Sequence, residues 1–209
     1  MARQMHEEQF REPLSWPPRR KPRPGTAPHG AVPVFALDDH NCVVQRAAIV
    51  GPGGAGKTTF ARQLGECTQL PVIHLDEHYW RPGWEPTPRD EWRAIQERLL
   101  AGDKWIVDGN YGGTLETRLR RADTVIVFAI ARTRCVARAF LRSVRYRGRA
   151  IQAEGCPERF DREFLRWIWR FPRDSKPRLD AALHEHAPHA QVVIFRNPRE
   201  VRAFLRDLQ

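Results

Sequence analysis

The chain has 209 residues, a formal net charge of +10 and 41% apolar residues, which suits one α/β domain with a core of its own plus a tail. Cys42, Cys67, Cys135 and Cys156 are widely spaced with no C-x-x-C pair, which excludes a zinc ribbon and a secreted disulfide framework and points to reduced thiols. No apolar run approaches the roughly 18 residues of a membrane span, so a soluble cytoplasmic protein without a membrane partner is expected.

Residues 1–44 read as a disordered Pro/Arg-rich extension. Trp16 to Gly25 has no hydrophobic period and too much proline for helix or sheet. Residues 45–209 form the folded domain. Ala47–Val50 is a strand running into a glycine-rich loop, followed by a helix from Lys57 to about Thr68. Pro71–Leu75 is a second strand, which places Asp76 at its end. Thr87-Pro88-Arg89-Asp90 opens a helix, with Thr87 as its cap and Pro88 in its first turn, ending at Ala101-Gly102. Lys104–Val107 is a third strand ending at Asp108, Thr114–Arg121 a short helix, and Thr124–Ile130 a fourth strand. An arginine-rich helix spans about Thr133–Arg147. Helical segments follow near Arg159–Phe171 and Ser175–Glu185, then a strand at Gln191–Phe195 and a helix from Pro198. Strands alternating with helices predict a five-stranded parallel sheet with helices on both faces, and ligands in such sheets bind beyond the carboxyl ends of the strands.

Gly51-Pro-Gly-Gly-Ala-Gly-Lys-Thr58 satisfies G-x-x-x-x-G-K-[ST], between an apolar strand and an amphipathic helix. In that motif the backbone of Gly51, Gly53, Gly54, Ala55 and Gly56 forms an anion nest at a helix N-terminus, with Thr59 next to it. Lys57 reaches the β- and γ-phosphates, and Thr58 offers its hydroxyl to Mg2+. The expected ligand is ATP in preference to GTP. Asp108, at a strand end beside this loop, is a second candidate for Mg2+. Asp76 is a candidate to orient or deprotonate an acceptor hydroxyl.

His74, Glu77 and His78 spell H-x-x-E-H, the inverted zincin pattern, but a zinc site at that spacing needs one continuous helix, and His74 falls in a strand. Seven arginines between Arg132 and Arg149 stand with no acid among them. Arg134, Arg138 and Arg142 share a helix face, and an anion is expected to compensate them, either a phosphoryl group in transfer or nucleic acid. Only four of the 35 basic residues are lysine, an arginine bias suggestive of a GC-rich coding sequence, so the charge alone argues weakly for nucleic acid.

The P-loop, His74-Leu-Asp76 with Tyr79-Trp80-Arg-Pro-Gly-Trp84, Ile106-Val-Asp-Gly-Asn-Tyr111, Tyr146-Arg-Gly-Arg149, Glu154-Gly-Cys-Pro-Glu-Arg-Phe160 and Phe164-Leu-Arg-Trp-Ile-Trp-Arg170 together resemble the DNA topology modulation-type proteins, a branch of the adenylate-kinase-like P-loop proteins. The resemblance runs over about residues 46–205. It implies a three-layer P-loop NTPase fold with a small helical lid near residues 145–162, and an acceptor pocket near Asp76, Tyr79, Trp80 and Trp84. It also implies that Arg138 and Arg142 enter the lid as catalytic arginines. The activity implied is Mg2+-dependent phosphotransfer from ATP to a small-molecule or nucleotide acceptor. The alternative is a nucleotide-dependent regulator contacting nucleic acid. Two departures bear on this: Asp108-Gly-Asn replaces the Asp-Gly-(Phe/Tyr)-Pro-Arg of adenylate kinases, which removes the arginine that would hold an AMP phosphate, and Ala150–Ala153 is shorter than the usual lid insert. Oligomeric state is not legible in the sequence.

Overall fold

The computed structural model describes residues 44–208. The extension expected over residues 1–44 lies, but for its last residue, outside them, as does Cys42. Seven strands and eight α-helices are present among the described residues: β1 Arg46–Val50, α1 Lys57–Thr68, β2 Val72–His74, α2 Leu75–Tyr79, β3 Trp80–Arg81, β4 Glu85–Pro86, α3 Arg89–Leu99, β5 Trp105–Asp108, α4 Leu115–Leu119, β6 Thr124–Phe128, α5 Arg132–Arg145, α6 Arg162–Asp174, α7 Lys176–His186, β7 Gln191–Phe195 and α8 Pro198–Asp207.

Five strands form one parallel sheet in the order β2-β5-β1-β6-β7, and β3 pairs antiparallel with β4 as a separate hairpin. The central strands are short apolar runs because both of their faces are covered. Side chains alternate between the faces: Ala48, Val50, Val107, Val125 and Val127 pack on one side, and Ala47, Ile49, Ile106, Ile126 and Phe128 on the other. The first face is covered by α3, α4 and α7 through Trp92, Leu115, Leu119 and Leu179. The second is covered by α1, α5, α6 and α8 through Phe60, Leu64, Ala139, Ile168 and Leu205. This is the three-layer α/β arrangement that strand–helix alternation predicts.

Register carries this arrangement to the site. Ile49 lies opposite Asp108 in the β1–β5 pair, and His74 lies opposite Asp108 in the β2–β5 pair. The end of β2, the end of β5 and the loop after β1 therefore converge at the carboxyl edge of the sheet.

Several local expectations are corrected. The second strand stops at His74, and Asp76 sits in the first turn of α2 rather than at a strand end. Thr87 does not cap α3: its hydroxyl donates to the Tyr79 carbonyl at 2.6 Å, and Pro88 is the residue before the helix. Thr87 is buried, so its hydroxyl needs a partner and finds it in the Tyr79 carbonyl, which also accepts from the Thr87 amide at 3.0 Å. The fourth strand ends at Phe128, two residues early. The helix expected from Arg159 begins at Arg162, where Asp161 accepts from the Glu163 and Phe164 amides at 2.9 and 3.0 Å. Between α5 and α6 the chain is made of turns with two isolated bridges, Arg147 to Glu158 and Ala150 to Pro157, and its helical parts are the flanking α5 and α6.

Candidate active site

The loop Gly51–Gly56 is bent by glycines where no other residue fits. Gly51 has φ +144, and a Cβ there would lie 2.6 Å from the Phe128 carbonyl oxygen. Gly54 has φ +72, and a Cβ would run into the Cys135 carbonyl of α5. The loop ends at Gly56, φ +100, where α1 starts with no side-chain cap and no acid in its first turn. Its first N–H groups therefore face the cavity without a partner from their own helix. Gly53 to Thr59 line that cavity, which measures about 750 Å³.

Within the loop, Lys57 Nζ donates to the Pro52 carbonyl at 3.2 Å, and the Ala55 amide donates to the same carbonyl at 3.3 Å. Gly51 stands behind the cavity. Its amide donates to Asn110 Oδ1 at 2.8 Å, and its carbonyl accepts from Asn110 Nδ2 at 2.5 Å. Asn110 thus grips the first peptide of the loop from both sides.

Thr58 and Asp108 meet directly: the Thr58 hydroxyl donates to Asp108 Oδ2 at 2.7 Å. His74 Nδ1 is 3.5 Å from the same oxygen. Asp108 Oδ1 is buried without a hydrogen-bond partner. An open carboxylate oxygen beside a threonine hydroxyl, at the mouth of an anion nest, suits a hard cation that takes oxygen ligands, so the residues fit Mg2+. The two imidazoles of the H-x-x-E-H pattern are separated: His74 is extended at the base of α2 and turned to Asp108, whereas His78 is exposed on α2.

Asp76 faces the same cavity. Tyr111 Oη donates to Asp76 Oδ1 at 2.5 Å. Burial pushes the Asp76 carboxyl above its ordinary value and outweighs the Tyr111 hydrogen bond that favours the anion; the neighbouring Asp108 charge raises it further, while Lys57 and Arg142 pull it down. Tyr111 is itself held well above 10, first by burial and then by the Asp76 charge, so it remains a donor. The rings of Tyr79, Trp92 and Tyr111 pack edge-on or tilted with centroids within 5.0 Å of one another and seat this pair, with Trp80 edge-on to Tyr79.

The arginines of α5 have separate partners. Arg138 Nη1 donates to the Ala55 carbonyl at 3.4 Å, beside the loop. Arg142 Nε lies 3.2 Å from Glu158 Oε1, a carboxylate only 4% exposed that also accepts from Gln152 Nε2 at 2.6 Å. Arg132 stacks over Trp169 at 4.1 Å. The face thought to lack an acid therefore receives one from beyond the helix, in the segment before α6.

That segment is tied to the β3–β4 hairpin. The Gly83 amide donates to the Gly155 carbonyl at 2.8 Å, Trp84 Nε1 donates to the Pro157 carbonyl at 2.8 Å, and the Cys156 thiol reaches the Arg81 carbonyl at 3.1 Å. Trp84 adopts φ +66, a left-handed turn conformation that these contacts hold. Above the loop, Phe164 lies so close to Gly53 that a Cβ there would come within 2.5 Å of its ring.

Sequence reasoning passed over Arg118. It is fully buried on α4, donating to Gln96 Oε1 at 2.6 Å and to the Asn110 carbonyl at 2.8 Å, and it approaches the Tyr111 carbonyl at 3.3 Å. Gln96 in turn donates to the Thr114 hydroxyl. Burial lowers the Arg118 guanidinium to about 9, so it stays charged at neutral pH. It fixes the backbone that carries both Asn110 and Tyr111. Asn110, Glu158 and Gln152 were likewise not singled out. Asn110 and Glu158 stand inside the distinctive sequence blocks and were findable there; Arg118 and Gln152 carry no local signal.

The fold and the loop define a three-layer α/β protein of the P-loop NTPase fold. No protein-family model matches the sequence, and no curated protein matches it. Among solved structures it is similar to the shikimate kinase from Acinetobacter baumannii in complex with shikimate, at 18% identity over 79% of this chain and 90% of that one, with a TM-score of 0.51. It is also similar to a gluconokinase from Sinorhizobium meliloti 1021, at 16% identity over 79% and 94% with a TM-score of 0.45. A shikimate kinase from Bacteroides thetaiotaomicron matches at 17% over 79% and 97%, with a TM-score of 0.43. At these identities the likeness is one of fold. No helix among the described residues is long and apolar enough to cross a membrane.

Proposed function

We propose that the chain is an ATP-dependent phosphotransferase that moves the γ-phosphoryl group of ATP to a hydroxyl of a small-molecule or nucleotide acceptor. The observation that carries this reading is one cavity that joins an uncapped helix N-terminus, Lys57 and the Thr58–Asp108 pair to the Asp76 carboxylate. The neighbours of like fold, which are small-molecule kinases by name, agree with it.

The amides of Gly53, Gly54 and Gly56 to Thr59 receive the phosphates, and Lys57 leaves the Pro52 carbonyl to meet them. Thr58 and Asp108 hold Mg2+, which spreads the charge of the phosphate chain when bound. Asp76 accepts a hydrogen bond from the acceptor hydroxyl on its free side and takes the proton as that oxygen forms its bond to the γ-phosphorus and the bond to the bridging oxygen breaks, leaving ADP. Arg138 and Arg142 flank the equatorial oxygens, and the segment 145–162 acts as a lid that keeps water from competing with the acceptor.

The finer resemblance, to the DNA topology modulation-type branch, rests on the sequence blocks alone. The second reading, a nucleotide-dependent regulator that touches nucleic acid, is favoured by exposed Arg134, Arg145, Arg147 and Arg149 around the lid.

One experiment separates the readings. The purified chain is incubated with Mg-ATP and a panel of nucleosides, nucleotides and hydroxylated metabolites, and ADP, free phosphate and phosphorylated product are followed. Acceptor-stimulated ADP release with product supports the kinase. Equal release of ADP and free phosphate whatever the acceptor contradicts it in favour of hydrolysis. ATP binding without turnover, together with salt-sensitive retention on DNA, favours the regulator.

A further inference from the structure

We propose that the molecule received at the Asp76 end of the cavity is a neutral or cationic alcohol, not a hydroxy acid or a phosphate ester. The inference deepens the kinase reading and rests on it for the word acceptor, but the charge preference is a property of the pocket alone.

Three carboxylates stand at this end. Asp76 lies at its floor with only the neutral Tyr111 hydroxyl on it. Glu77, the next residue on α2, is exposed and lines the same cavity. Glu158 enters from the lid side and is almost fully buried. Asp108 lies at the junction with the phosphate loop, where it is committed to Thr58.

Three of the cations that line the cavity are engaged by the protein itself. Lys57 and Arg138 bond to carbonyls of the phosphate loop itself. Arg142 is cancelled by Glu158 at 3.2 Å. Arg62 on α1 and Arg202 on α8 belong to two helices that pack together on the phosphate side of the sheet. Arg159 is exposed at the lid rim, between Glu158 and Asp161. The Arg142 guanidinium, whose charge reaches Asp76, is shared with Glu158, which weakens its grip on a carboxylate or phosphate.

The remaining wall has the same preference. Trp80, Trp84 and Tyr146 line the cavity with aromatic rings, which carry no charge to offset an anion. The donors nearest the floor are already spent, with Trp84 Nε1 on Pro157 and Tyr111 Oη on Asp76. An anion entering here meets the Asp76 and Glu77 carboxylates, whereas an amino group or an uncharged polyol meets acceptors.

The test compares hydroxylated molecules that differ in charge: glucosamine and glucose against gluconate, choline against glycerate, and cytidine against its 5′-monophosphate. Each is titrated by calorimetry into the full-length chain saturated with Mg-ADP. The expected result is that the neutral or cationic member binds roughly tenfold or more tightly in every pair in which either binds. Glu77→Gln and Glu158→Gln are then each expected to narrow that gap by roughly threefold or more, the first through an exposed position that does not affect folding, the second by releasing Arg142. Equal or tighter binding of the anionic members, absence of binding across the whole panel, or a gap unmoved by both variants overturns the proposal. ADP release is measured in parallel with the ligands that bind. Charge-selective binding without stimulated ADP release removes the kinase reading while leaving the pocket's preference in place.

Discussion

Asp76 combines two requirements that pull against each other. A proton acceptor must ionise, yet burial and the nearby Asp108 disfavour its charge, and only Tyr111, Lys57 and Arg142 support it. The carboxyl therefore titrates above 3.8, and between that value and its folded value the folded chain holds a proton the unfolded chain has released. The sign follows: this group's contribution to stability is full below the unfolded value and is lost as pH rises through the folded one. On the proposed reading catalysis runs the other way, because the ionised form would take the acceptor's proton. The acid limb of kcat/KM for the free enzyme is expected to lie above the range of an ordinary aspartate. Asp76→Asn is expected to lower kcat by roughly 10²- to 10⁴-fold and erase that limb, with the dissociation constant for Mg-ATP little changed. A retained acid limb in the variant would assign the proton to another group. Asn110 makes a different prediction at the same scale. Asn110→Ala leaves the Gly51 amide and carbonyl without their partner, so it should cost about 1–3 kcal/mol in a denaturation experiment and also weaken Mg-ATP binding, since the loop then starts from an unfixed peptide.

At the level of elements, the lid segment and the β3–β4 hairpin behave as one unit, because each closes the other's open hydrogen bonds. Trp84→Phe keeps the ring but removes the donor to Pro157. Amides bonded within the lid, those of Gly148 and Glu158, are expected to exchange with solvent about tenfold faster, and amides of β1 and β6 not at all. Uniformly unchanged exchange would mean that the other two ties suffice. The elements also show where sequence was readable. The β1–loop–α1 unit, the central parallel strands and α5, α6 and α8 announce themselves, because a strand buried on both faces must be a short apolar run and a packed helix is commonly amphipathic. The hairpin and α2 do not. The hairpin strands are two residues each and α2 is five, and their positions depend on Thr87 donating to Tyr79 and on aromatic contacts between distant segments, which no local period encodes. The same reason explains the site. Lys57, Thr58 and Asp108 stand in motifs or at strand ends, so their meeting follows from topology. Asn110 gripping Gly51, Arg118 holding the 109–111 backbone and Glu158 cancelling Arg142 are contacts across the fold, set by register and packing.

For the whole molecule, the phosphate loop joins three parts of the structure: the central strand through Gly51, α5 through Gly54 and Arg138, and α6 through Phe164 on Gly53. A ligand that fills the loop therefore binds only the folded chain and adds its free energy to global stability. At 100 times its dissociation constant, Mg-ATP should add about 2.7 kcal/mol. For a chain of this size that corresponds to a rise in Tm of roughly 5–10 °C. Lys57→Ala separates this effect from damage to the fold, since among the described residues the Lys57 ammonium hydrogen-bonds to a carbonyl of its own loop. The variant is expected to melt within about 2 °C of the wild type without ligand, and to lose most of the ligand-induced shift as affinity falls roughly 10- to 100-fold. A full shift in Lys57→Ala would move the phosphates away from this loop, and with them the assignment of Thr58, Asp108 and Asp76 to a common reaction centre.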